Sequence, residues 1–167
     1  MTPRPRLQVV VDALALAPDH DVIEIGPGHG VAASYVLERL VAGRYLGIDR
    51  SDAMVQAATR RNREAVDAGR ARFVAAGLGE IEAGPGDVLL ACRVRELVTP
   101  VGLAAARVLL RPGGRLVVAF DAPEPARAAA AARDGRAAIS SAGYVGAAVT
   151  AMPFDGGDVH VVVATRG

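Results

Sequence analysis

The chain contains no lysine, and all 19 of its Lys+Arg residues are arginines. A Schiff-base enzyme, a pyridoxal-phosphate anchor, a P-loop and a kinase-type ATP site each need a lysine amine, so all four are excluded. Tryptophan is absent, and Cys92 is the single cysteine. One cysteine closes no internal disulfide and builds no cysteine-cluster metal centre; no metal site is expected. No apolar run approaches the roughly 18–20 residues of a membrane helix. Arg4 and Arg6 precede the apolar stretch Leu7–Val11 and an Ala13-Leu14-Ala15 triplet that mimics a cleavage site, but Asp12 interrupts it. That stretch falls short of the ~7–15 residues of a signal-peptide core. The chain therefore reads as cytoplasmic. Excess charge is missing too: 19 arginines against 18 acids leave +1, which argues against nucleic-acid or membrane partners.

What is present is enough for one compact unit. With 167 residues, 51% of them hydrophobic, the chain should bury roughly two thirds of its unfolded surface without disulfide or metal. A single domain over residues 1–167 is expected, with a helical region over 1–20 and the core over 21–167. Short β-like runs alternate with helical patterns, the mark of a parallel α/β sheet. The expected strands are Val22–Ile25, Tyr45–Ile48, Arg72–Ala75, Val88–Cys92, Arg115–Phe120, Val145–Ala151 and Val159–Thr165. Ala33, Val36, Leu37, Leu40 and Val41 share one helical stripe that Gly43 ends. Ser51 caps a second helix with Met54, Ala57, Ala58 and Ala65 inward, stopping at Gly69. Thr99-Pro100 opens a third helix, closed by Pro112-Gly113-Gly114. An alanine-rich fourth runs from about Glu124 to Ser141. The last two strands are joined by Met152–Asp158, a length that admits a hairpin but no crossover helix. The final strand is therefore expected antiparallel in an otherwise parallel sheet.

The most informative segment is Val22-Ile23-Glu24-Ile25-Gly26-Pro27-Gly28-His29-Gly30. A buried strand ends in three glycines within five residues, and a helix begins at once. Glycine permits the tight turn and lets a ligand approach where a Cβ would intrude; the helix that follows offers free N–H groups. Asp49 stands 19 residues beyond Gly30, at the end of the second strand. An acid there accepts hydrogen bonds from both hydroxyls of a ribose. The pattern describes a pocket for a nucleoside-containing cofactor.

The dinucleotide fingerprint would need a third glycine where Val31 stands. Glu24-x-Gly26-x-Gly28-x-Gly30 instead resembles motif I of the class I S-adenosylmethionine-dependent methyltransferases. Tyr45-Leu46-Gly47-Ile48-Asp49-Arg50-Ser51 resembles motif II, Asp87–Cys92 motif IV, and Leu110-Arg111-Pro112-Gly113-Gly114 the turn before the fifth strand. The resemblance implies a Rossmann-like methyltransferase fold: an α/β three-layer sandwich around a seven-stranded, mostly parallel sheet whose last strand is antiparallel. It implies S-adenosylmethionine as cofactor, with Glu24, Gly26, Gly28, His29, Gly30, Asp49, Arg50, Met54, Gly77, Leu78 and Ala91 around it. Two departures stand out. The stretch Phe73–Leu78 lacks the acid that often binds the adenine amino group, and motif IV lacks the Asn/Asp-Pro-Pro-aromatic signature of DNA and glutamine methyltransferases.

The reaction implied is methyl transfer to O, N or C of a small molecule, with His29 and Asp121 as candidate bases. The competing reading makes His29 a loop residue and Asp121 a helix cap ahead of Pro123-Glu124. Arg93 and Arg95 follow motif IV near the expected substrate side. Cys92 reads as a small buried hydrophobe, His160 as structural and His20 as surface. With no long insertion, the pocket is either open or completed by a second chain, as a homo-oligomer or with a partner. Two further readings remain: a non-catalytic methyltransferase-like subunit, and a small nicotinamide-binding protein.

Overall fold

The computed structural model describes residues 4–81 and 83–167; residues 1–3 of the expected N-terminal helical region lie outside the described residues. The strands are β1 (Val22–Ile25), β2 (Tyr45–Asp49), β3 (Ala71–Ala75), β4 (Gly86–Cys92), β5 (Leu110–Phe120), β6 (Tyr144–Phe154) and β7 (Gly157–Arg166). The helices are α1 (Arg6–Ala13), α2 (Val31–Leu37), α3 (Asp52–Arg61), α4 (Arg63–Asp67), α5 (Pro100–Leu109) and α6 (Pro125–Ser141), and a 3-10 turn covers Arg95–Val98. One seven-stranded sheet results, in the order β3-β2-β1-β4-β5-β7-β6. The five strands from β3 to β5 run parallel, and β7 runs antiparallel to both β5 and β6, as the short connection requires.

Side chains alternate across the sheet and feed two cores. On one face Val22, Tyr45, Val88, Leu90 and Val117 pack with Val9, Val10 and Val36 from α1 and α2. On the other, Ile23, Leu89, Leu116 and Val162 meet Leu103 and Ala106 of α5 and Ala132 and Ile139 of α6. This is the expected three-layer sandwich. Ser51 Oγ accepts the Met54 N–H at 3.3 Å and Thr99 Oγ1 the Gly102 N–H at 3.1 Å, so both expected N-caps form. Arg115 donates to the carbonyls of Leu14 and Ala15, at 2.8 Å each, and so ties the end of α1 to β5.

Four details differ from the sequence expectation. The α2 helix stops at Leu37, and Val41, expected inward, is 79% exposed. The Pro18 carbonyl draws the chain away by accepting the N–H groups of Val41, Ala42 and Gly43. The single helix expected after Ser51 is broken at Asn62 into α3 and α4. The third helix ends at Leu109, before the Pro112-Gly113-Gly114 turn, which lies within β5. Finally, the Met152–Asp158 connection shrinks to Asp155-Gly156, because β6 and β7 continue pairing to Phe154↔Gly157.

Candidate active site

The carboxyl end of β1 turns sharply at Gly26, Gly28 and Gly30, all with positive φ (72°, 54° and 73°), a region that strains any residue with a Cβ. Space is the second constraint at Gly30: a Cβ there would stand 2.7 Å from Asn62 Nδ2 and 2.9 Å from Ala58. Asn62 explains this crowding. Its amide donates to the carbonyls of Gly30 and Ala58, 3.0 Å each, and its oxygen accepts from Ser34 Oγ at 2.8 Å. One buried side chain thus joins the glycine loop, α2 and the end of α3. At Gly28, by contrast, nothing stands within 4 Å of the Cβ position. Its N–H donates to Asp49 Oδ2 at 3.1 Å, and Ser51 N–H donates to Oδ1 at 3.0 Å.

A cleft of about 450 Å³ lies over the ends of β1, β2 and β4, within the range of ligand pockets. Its walls are Ile25, Gly26, Ile48, Asp49, Arg50, Ala76, Leu78, Cys92, Arg93, Val94, Glu96, Thr99, Val101 and Gly102. Of the residues expected around the cofactor, Gly26, Asp49, Arg50 and Leu78 face it, as do Cys92 and Arg93. Glu24 and Ala91 are buried beneath it in their strands, at 2% and 0% exposure. Gly28, His29, Gly30, Met54 and Gly77 are not among its walls. Gly77 N–H instead donates to Glu80 Oε2 at 2.8 Å, which places an acid just beyond the stretch that lacks one. Arg50 pairs with Glu96 at 3.1 Å across the cleft mouth. The segment from Val94 to Gly102 was not legible as a wall, since only a tertiary turn brings it over Gly26; a Cβ on Gly26 would lie 2.8 Å from Val94 Cγ2.

Beneath the loop, Tyr45 Oη–H donates to Glu24 Oε2 in a fully buried pair. Burial pushes the Glu24 carboxyl up to about 7 against that bond, and the Asp49 charge adds to the rise. Burial also pushes the Cys92 thiol up, beside Glu24, so the thiol stays protonated and is no nucleophile. His29 is exposed, and its carbonyl accepts from Arg61 Nε at 3.0 Å. Asp121 does not cap α6, whose N-terminus receives no side-chain bond. It is instead gripped by two arginines: Arg93 reaches it with Nε and, at 2.7 Å, with Nη2, and Arg6 Nε stands at 3.0 Å. The Asp121 side chain is only 6% exposed. Arg93 holds this grip from a left-handed backbone, φ 60°, a conformation rare outside glycine. His20 is half-buried rather than simply surface, its Nδ1 accepting the Ala17 N–H at 3.1 Å. His160 sits within β7, opposite Phe120 and Ala151.

A second, larger groove of about 760 Å³ adjoins the cleft and shares Arg93 and Val94 with it. Its floor is Val118, Ala119 and Phe120, and its far wall is the alanine-rich face of α6. Gly135 makes that wall possible, because a Cβ there would meet the Phe120 ring at 2.3 Å.

Comparison with known proteins fits this geometry. A family profile for a methyltransferase domain matches residues 23–116, more than half of the chain and every strand from β1 to the middle of β5. The chain belongs to this methyltransferase family. A 37.1 kDa protein of unknown role in transposon TN4556 of Streptomyces fradiae is 33% identical over 116 residues. That alignment takes in 66% of this chain and 32% of the relative, so the domain spans about a third of the protein it matches. Among solved structures, the S-adenosylmethionine-dependent methyltransferase SibL in its apo form is 21% identical, with a TM-score of 0.77 over 96% of this chain and 54% of SibL. A SAM-dependent methyltransferase from Aquifex aeolicus gives 17% and 0.78, over 97% of this chain and 93% of that one. Magnesium protoporphyrin IX methyltransferase from Synechocystis PCC 6803 with bound SAM gives 19% and 0.72, over 96% and 78%. At these identities the likeness concerns the methyltransferase fold. Among the described residues, no helix is long and apolar enough to cross a membrane.

Proposed function

We propose that this domain binds S-adenosylmethionine in the cleft over β1, β2 and β4 and transfers its methyl group to a small molecule held in the adjoining groove. The observation that carries this reading is Asp49, whose carboxylate faces the cleft while the glycine loop's own N–H fixes it at 3.1 Å. Each carboxylate oxygen keeps a lone pair free for one ribose hydroxyl. Ile25, Ile48, Leu78 and Val94 supply apolar walls for a purine, and the open space above Gly28 lets a ligand chain run along the backbone. Bound there, the cofactor supplies an already activated methyl on a sulfonium. The chain's task is then alignment and exclusion of water. Arg93, gripped by Asp121, stands where cleft and groove meet and fixes the direction from which an acceptor approaches.

One observation favours the non-catalytic subunit as the second reading. Asp121 is occupied by two arginines and His29 is exposed outside both clefts, so neither is a free group placed against an acceptor. An acceptor that is already anionic or unprotonated needs no base, and turnover separates the two readings. Calorimetric titration with S-adenosylhomocysteine, with NAD as control, tests the shared premise. Micromolar affinity, about −8 kcal/mol, with silence from NAD is the expected result. NAD binding, or no binding of either, overturns the assignment.

A further inference from the structure

The two edges of the sheet are guarded differently. At one edge β3 has five residues and carries the exposed Arg72; short length and charge both discourage pairing with another strand. At the other, β6 runs for 11 residues, Tyr144–Phe154, without one charged side chain. Its guards sit only at the ends: a bulge between Val145 and Ala148, and Pro153. Between them Val149, Thr150 and Ala151 form a regular edge that no described strand covers, β7 being the only neighbour of β6 in the sheet order.

Pairing rules fix which backbone groups face outward. The pair Phe154↔Gly157 closes a two-residue turn and is therefore hydrogen-bonded, so alternate residues back along β6 bond to β7. Pro153, with no N–H, falls on the outward set, as an edge proline must. Val149 and Ala151 share that set and turn both N–H and C=O away from β7. We propose that β6 pairs antiparallel with β6 of a second copy of this chain, about a two-fold axis near Thr150, joining two sheets into one. An antiparallel edge is complementary to itself under a two-fold, each donor meeting the acceptor of its mate. Because β6 carries no charged side chain, two-fold pairing sets no like charges against each other along the strand.

Sedimentation velocity of the whole chain over a micromolar concentration range tests this directly. Wild type is expected to form a reversible dimer. Ala151→Pro removes an outward donor without touching the β7 ladder and should weaken the dimer at least about tenfold. In case proline harms folding, Thr150→Arg and Thr150→Asp serve as a second pair. Each alone should be monomeric through like-charge repulsion at the axis, and an equimolar mixture should dimerise again. A monomeric wild type overturns the proposal, as does a dimer that the folded variants leave intact. These outcomes are independent of cofactor binding.

Discussion

The strands β1, β2 and β3 have four, five and five residues, whereas β5, β6 and β7 have 11, 11 and 10. The short half has few ladder bonds, so side chains do the joining. Asn62 links the glycine loop to two helices, Asp49 holds Gly28 and Ser51, and Tyr45 holds Glu24. The long half has side-chain links as well, such as Tyr144 Oη–H to the Leu103 carbonyl and Arg115 to Leu14 and Ala15, but adds to them long ladders and continuous apolar burial from Leu116 through Val162 to Ile139. Polar linkage leaves lone pairs and backbone donors facing the cleft; apolar burial leaves the floor and far wall of the adjoining groove, Val118, Ala119 and Phe120 with α6. The polar chemistry of the cleft and the cohesion of the sheet are thus concentrated at opposite ends.

If that division is real, damage to the long half should cost stability and spare binding. Leu116 in β5 is fully buried, and Leu116→Ala should destabilise the fold by about 2–5 kcal/mol through lost transfer energy and the cavity left behind. Urea unfolding would measure the loss. The affinity of the folded fraction for S-adenosylhomocysteine should be unchanged, and a parallel fall in affinity would show that the two halves are not separable.

Glu24 tests the other half. Its carboxyl rises from an ordinary value of 4.5 to about 7 on folding, chiefly through burial. A raised acid contributes its stability in full below pH 4.5, where folded and unfolded chains are both protonated there. That contribution drains away as pH climbs to about 7, because the unfolded chain ionises freely and the buried site resists. The expected loss is about 3 kcal/mol across that window. Glu24→Gln keeps an acceptor for Tyr45 Oη–H without the ionisation, so its stability should be flatter with pH. Equal slopes for variant and wild type in denaturant titrations at pH 5 and pH 7.5 would contradict a buried, uptitrated Glu24.

Legibility in the sequence follows the range of the interactions. All seven strands were legible because each is a local apolar run, and the antiparallel β7 because its link to β6 is too short for a crossover. Ser51 and Thr99 were legible as caps since the residues they serve lie three positions away. What was hidden depends on partners far along the chain. Asp121 looks like a cap in sequence, but Arg6 and Arg93 are 115 and 28 positions away, and their two charges outbid a helix terminus. Val41 continues a helical stripe in sequence, yet the Pro18 carbonyl takes the backbone donors that would have extended the helix. Asn62 reads as an ordinary polar residue until Gly30 and Ser34 close over it. The Val94–Gly102 wall of the cleft likewise has no local signature.

The smallest of these effects bears most directly on the proposed cofactor. Asp49 makes two bonds to backbone N–H groups in the short half, and charge-assisted bonds of that kind contribute about 1.5–3 kcal/mol. Asp49→Asn keeps one carbonyl acceptor for Gly28 or for a ribose hydroxyl, but not for both, and its NH2 would confront a backbone donor. Asp49→Ala loses both. Affinity for S-adenosylhomocysteine should therefore fall in the order wild type, Asn, Ala, with the alanine variant down by about 2 kcal/mol, roughly thirtyfold. The fall should be one of binding more than of stability, since Asp49 is half-exposed and water can replace it at Gly28 once it is gone. Unaltered affinity in the alanine variant would remove Asp49 from the ligand site and, with it, the reason for placing binding in the short half of the sheet.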